Sequence, residues 1–101
     1  MTKISIVYST FTNHDDASKA AHVVLGENLA TCVNILPNHT AIYKWNGVLN
    51  QEIEVIAIFK TLPSLLEQLK NKLHAIHPYE VPCIISWDAS ALEDYAETFK
   101  A

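Results

Sequence analysis

The sequence predicts an α+β fold, a two-layer sandwich in which two helices cover one face of an antiparallel sheet. Four stretches carry strand patterning and two stretches between them carry helical spacing, giving the order β-α-β-β-α-β plus a short C-terminal helix. The two middle strands join through Asn46–Gly47, a pair suited to the positive φ of a tight hairpin. Right-handed crossovers then favour the ferredoxin-like arrangement, with the second strand at one sheet edge and the fourth at the other.

The first strand is Lys3–Phe11, where Ile4, Ile6 and Tyr8 alternate with Ser5, Val7 and Ser9. Val7 marks the second face as only partly wet. "TNHDD" breaks this pattern, and Asn13, Asp15 or Asp16 can cap a helix whose positive end suits the acids. From Ala17 to Ala30, apolar residues return at helical spacing through Ala21, Val24, Leu25 and Leu29. Thr31–Leu36 reads as the second strand, interrupted by Pro37–Thr40 and resumed at Ala41–Trp45. The returning strand runs from Val48 to Thr61, and its "EVIAIF" is apolar enough for a central position.

Pro63 sits in or beside the first turn of the second helix. Ser64 and Glu67 have capping-box spacing there, with Thr61 the other candidate cap. Leu62, Leu65, Leu66, Leu69, Leu73 and Ile76 form one apolar stripe. Pro78 ends it by biasing His77 away from helical angles. Val81–Trp87 is the last strand. Ser90–Lys100 reads as a short helix, with Ser90 and Glu93 at capping-box spacing and Leu92, Tyr95, Ala96 and Phe99 on one face.

Composition narrows the function classes. The chain has 101 residues, 50% of them hydrophobic, which fits a single domain over 1–101. Net charge is −4, from 7 basic and 11 acidic residues, with no arginine. Without a cluster of cations, nucleic acid is not an expected partner. No stretch is long and apolar enough for membrane insertion. The opening "MTKISIVYST" lacks the apolar region and cleavage site of a signal peptide, so a cytoplasmic location is expected. The two cysteines lie in apolar runs, where a free thiol is the ordinary reading.

Two helices cover only one sheet face. The strands nevertheless carry Tyr8, Tyr43, Trp45, Phe59 and Trp87. An uncovered apolar face predicts self-association into a homo-oligomer.

Five motifs in order then resemble the CutA family of divalent-cation tolerance proteins. They are Thr31-Cys32-Val33-Asn34; the hairpin residues Tyr43, Trp45 and Gly47; Glu54 ahead of an apolar strand; Lys60-Thr61; and His77-Pro78-Tyr79-Glu80 with Pro82. The resemblance covers roughly Ile4 to Ile85. It implies a ferredoxin-like protomer in a tight homotrimer, with shared residues in clefts near subunit boundaries. It also implies a link to tolerance of copper and other divalent cations, and no assigned enzymatic activity. Cys83 departs from the family pattern, where glutamate is common. The C-terminal "SWDASALEDYAETFKA" departs too: the usual glycine is missing, and Phe99 loosely replaces the tryptophan the family places near its tyrosine.

The candidate metal ligands are Cys32, His77 and Glu80. Thiolate prefers soft ions such as Cu(I), while imidazole supported by a carboxylate suits Cu(II) or Zn(II). Each also has a structural reading: Cys32 as a small core residue, His77 at a helix end and Glu80 on backbone donors or Lys60. His14, His22, His39 and His74 are read as solvated. A shared intersubunit cleft would draw on Tyr43, Trp45, Glu54, Lys60, Tyr79 and Cys83. Cys32 and Cys83 should lie far apart within one chain and could approach only across a subunit boundary. No nucleophile–base–orienter set is readable, so an enzyme is not expected. Two classes remain: a metal-responsive trimer using copper or another divalent cation, or a structural or signalling trimer whose clefts hold a small molecule or protein.

Overall fold

A computed structural model describes residues 1–100. Its strands are β1 (Thr2–Phe11), β2 (Cys32–Trp45), β3 (Val48–Thr61) and β4 (Ile84–Ala91). Its helices are α1 (His14–Gly26), α2 (Leu66–Ile76) and α3 (Glu93–Glu97), with 3-10 turns at Pro63–Leu65 and Thr98–Lys100. The sheet order is β2-β3-β1-β4 and every pairing is antiparallel, which is the ferredoxin-like two-layer sandwich expected. α1 and α2 lie on one face over Val7, Phe11, Val55, Ala57 and Phe59, with Ala17, Ala20, Val24, Leu69 and Leu73 completing the core.

The faces of β1 carry unexpected roles. Ser5, Val7, Ser9 and Phe11 turn toward the helices, and the more apolar Ile6 and Tyr8 lie on the open face. Serine is tolerated under the helices because Ser5 Oγ donates to Asp88 Oδ1 at 2.9 Å. Ser9 is fully buried and its hydroxyl has no partner among the described residues. Phe59, expected on the uncovered face, belongs to the helix-side core.

Helix ends also differ from expectation. Asn13 is the cap of α1, its side chain accepting from the Asp16 N–H at 2.8 Å. The helix stops at Gly26, short of Ala30, because Asn28 adopts φ 58°. Leu29 N–H donates to Val24 C=O and Asn28 N–H to Leu25 C=O, a Schellman closure that satisfies the last carbonyls. Neither proposed cap of the second helix forms. Thr61 instead donates from Oγ1 to Leu29 C=O at 2.8 Å, tying β3 to the end of α1. Ser90 caps nothing, because Lys3 and Ser90 pair and β4 continues to Ala91. The short C-terminal helix starts at Glu93 and buries Ala96, while Leu92 stays 70% exposed. Together with Phe99, Ala96 covers Ile4 and Ala91 at one end of the otherwise open face.

Pro37–Thr40 does not interrupt β2. The strand passes through it with a register shift between Leu36 and His39. Proline fits because β2 is an edge strand, where a missing N–H need break no sheet bond. β1 stops pairing with β3 at Phe11↔Val55, so the far halves of β2 and β3 pair only with each other. They form a two-stranded arm, turned at Asn46–Gly47 with φ 51° and 77°. The chain is accordingly long, 45 × 25 × 23 Å.

Candidate functional site

The central polar site grows from the junction of β1, β3 and the segment after α2. Pro78 forces His77 into extended angles, and the chain bends before entering β4. His77 is buried, with its ring stacked on Phe11 at 4.4 Å between centroids. Nε2 lies 2.8 Å from the Thr10 carbonyl, which can only accept, so Nε2 carries the proton. Nδ1 then accepts from the Tyr79 N–H at 3.1 Å. Burial lowers the His77 pKa below the usual imidazole range, against the opposing pull of the Thr10 carbonyl, Asp16 and Glu54. Both ring nitrogens of neutral His77 are therefore occupied by backbone.

That clamp aims Tyr79. Its O–H donates to Glu54 Oε2 at 2.8 Å, and the Thr12 hydroxyl donates to its oxygen at 3.1 Å. Burial pushes the Tyr79 phenol up to about 12, and Glu54 adds to the rise against the Thr12 bond. Glu54 comes from the open face of β3, two residues before Ile56, as period two requires. Around this pair lies a cleft of about 350 Å³ lined by Thr10, Tyr43, Trp45, Glu52, Glu54, Tyr79, Val81 and Cys83.

The cleft is electronegative. Among the described residues, no cationic side chain makes an ion pair with Glu52 or Glu54. The Glu52 carboxylate, ahead of burial and Glu54, holds the Tyr43 phenol above its ordinary range. Partial burial, then the Glu54 carboxylate, push the Cys83 thiol up. Burial chiefly, with Cys83 and Glu54, does the same to Tyr8. Cys83 is thus neutral near pH 7, unlike a ready thiolate ligand.

Of the residues the resemblance implied for a cleft between subunits, Tyr43, Trp45, Glu54, Tyr79 and Cys83 line this one cleft of the single chain, and Lys60 does not. Lys60 shares the Glu54 face of β3 but stands six residues on, about 20 Å along a strand. Its ammonium donates to the Tyr95 hydroxyl at 3.5 Å and lies 5.7 Å from that ring. Cys32 pairs with Lys60 in register, half-buried, its thiol 3.9 Å from Asn34 Oδ1. Cys32 and Cys83 belong to opposite sheet edges, as expected. Glu80 is exposed and turns to a separate groove shared with Lys70, His74 and Pro82. Cys32, His77 and Glu80 therefore occupy three places in one chain. Among the described residues, no three His, Cys, Asp or Glu side chains gather to hold an ion. Within one chain, the residues do not fit a metal site.

Sequence reasoning missed Thr10, Thr12, Glu52 and Val81 in and beside this cleft. Glu52 was findable, since it alternates with Glu54 on one face of β3. Thr12 carried no signal, because its role depends on where a distant tyrosine lands. His39, expected to be solvated, instead stands opposite Glu54 in the ladder, half-buried, with Nδ1 unpartnered among the described residues.

A family profile described as CutA1 divalent ion tolerance protein matches residues 5–100. The chain is 43% identical over 91 residues to the divalent-cation tolerance protein CutA of Pyrococcus horikoshii, covering 89% of this chain and 88% of that one. It is 38% identical to the chloroplastic CutA of Arabidopsis thaliana over 94% of this chain and 53% of the relative, and 36% identical to human CutA over 82% and 46%. It thus spans about half the length of those plant and animal relatives. Among solved structures, CutA1 from Ehrlichia chaffeensis superposes with TM-score 0.93 at 33% identity, covering 99% of this chain and 94% of that one. The crystal structure of CutA1 from Pyrococcus horikoshii gives 0.89 at 38% identity, over 95% and 94%.

Proposed function

This chain belongs to the CutA1 divalent ion tolerance family, and on that premise we propose that it serves divalent-cation tolerance as a homotrimer, binding ligands where copies meet. The supporting observation is the sheet face opposite the helices. Trp87 is 48% exposed and Ile85 55%, beside half-buried Ile6, Tyr8, Ile56 and Ile58. Covering apolar surface is worth about 25 cal/mol per Å². A stable interface takes roughly 800 Å² per partner. The number three comes from the family resemblance. Light scattering at micromolar concentration should give a mass three times the 11.3 kDa chain, and a monomer would sink the proposal.

Copper is the ion this reading names. Cys32 is the soft donor on the exposed β2 edge, and further donors must come from another copy. Copper titration of wild type and Cys32→Ala should separate in affinity, and equal curves would remove Cys32. A binding role is favoured over a catalytic one because Lys60, Tyr79 and Glu80 stand apart. The free thiols fit a reducing compartment such as the cytoplasm. Among the described residues, no helix is long and apolar enough to cross a membrane.

A second reading has its own support. The Glu54–Tyr79 cleft, with its aromatic walls, favours a small molecule, with metal incidental.

A further inference from the structure

We propose that the Glu54–Tyr79 cleft binds an organic cation, a primary ammonium or guanidinium group on a short apolar stem. The charge is set against Glu54 and Glu52, and the stem lies along Tyr43, Trp45 and Val81. This rests on the small-molecule reading of the cleft and names its ligand class.

Size is the first ground. About 350 Å³ falls in the range of small-molecule pockets and far exceeds a bare ion. Charge is the second. Glu52 and Glu54 line the cleft without any ion-pairing cation among the described residues, so an anion is repelled. A neutral apolar ligand would cover two carboxylates without compensating them. The third ground is the wall. Tyr43, Trp45 and Tyr79 line the cleft, and aromatic rings, tryptophan most of all, attract organic cations through their negative quadrupole.

Metal fits these groups poorly. Tyr79 O–H already occupies Glu54 Oε2, the Cys83 thiol is neutral, and no third acidic, histidine or cysteine ligand converges among the described residues. Tyr79 acts here as a positioning residue. By donating to Oε2 it restrains the carboxylate and leaves Oε1 to accept from the ligand. Behind it, His77 holds the Tyr79 backbone, so the cleft is organised before any ligand arrives.

Calorimetry on chelator-treated protein at neutral pH provides the test, with n-butylammonium chloride, n-butanol and Zn²⁺ as separate probes. The expected result is binding of butylammonium at least about tenfold tighter than butanol, as a charge-assisted hydrogen bond implies. Glu54→Gln should lose at least about tenfold for butylammonium while leaving butanol unchanged. This variant keeps an acceptor for Tyr79, so folding is preserved. Trp45→Leu, on the exposed arm, should weaken both organic probes. Equal affinity for butylammonium and butanol, or no heat from either, overturns the proposal. So does Zn²⁺ binding that Glu54→Gln abolishes while butylammonium stays silent, which assigns the cleft to metal. Light scattering on the same samples reports assembly separately. A monomeric preparation would sink the trimer reading, whereas a trimer that does not bind butylammonium would sink the ligand proposal alone.

Discussion

The imidazole of His77 sits between a carbonyl it must donate to and an N–H it must accept, so only its neutral form satisfies both. Its folded-state pKa is lowered, so the native state resists protonation that the unfolded chain accepts below about 6.5. The unfolded state then binds more protons, and stability falls as pH drops through that unfolded value. Urea unfolding at fixed protein concentration should show a midpoint that declines from pH 7 toward pH 5, about the range in which histidine titrates. His77→Phe should flatten that decline while costing about 3 kcal/mol at pH 7, since Thr10 C=O and Tyr79 N–H lose their partner. Ser9→Ala should do the opposite. Removing a buried hydroxyl with no partner among the described residues is expected to raise stability by about 1 kcal/mol in the same assay. The sequence made His77 legible as a helix end, because Pro78 follows it. It could not reveal that Thr10 supplies the acceptor, since that contact joins residues far apart in the chain.

At the level of elements, the patterns predicted strands and helices well and their ends poorly. Apolar spacing located α1, but Leu29 fits a helical stripe and a Schellman closure equally well. Only the backbone angle of Asn28 decides between them. Asn28→Ala should cost about 1 kcal/mol by thermal or urea unfolding, because alanine tolerates positive φ less well. Ser64 and Ser90 show the complementary failure. Capping-box spacing is a local signal, and at each place the neighbouring chain did something else: a 3-10 turn after Leu62, and pairing of Ser90 with Lys3. Pro37 misled for a related reason. Proline opposes a central strand, yet the edge position of β2 is a property of the sheet order and is absent from the local sequence.

For the whole molecule, the β-α-β-β-α-β order and the strand arrangement followed from the connection rules, and the surplus of strand aromatics followed from composition. The assignment of faces did not. Phe59 turns inward with Val55 and Ala57, and the serine phase of β1 lies under the helices because Val7 and Phe11 share it and fill the core. The cleft was legible through Tyr43, Trp45, Glu54, Tyr79 and Cys83, while Lys60 was drawn away by the length of β3. If copies meet on the open face, a charge at its centre should separate them. Trp87→Lys is expected to shift the scattering mass toward a single chain, since Trp87 is nearly half exposed already and lysine disturbs no core. A mass unchanged by that variant would place the contact elsewhere.

The β2–β3 arm reaches beyond its own sheet, and its outer edge is broken at Pro37 and the adjacent register shift. A newly denatured chain returning to its native form would therefore present two short lengths of unpaired edge rather than one long one. Renaturation should then stay free of the ladder-like precipitates that a continuous edge invites, which turbidity at rising protein concentration checks.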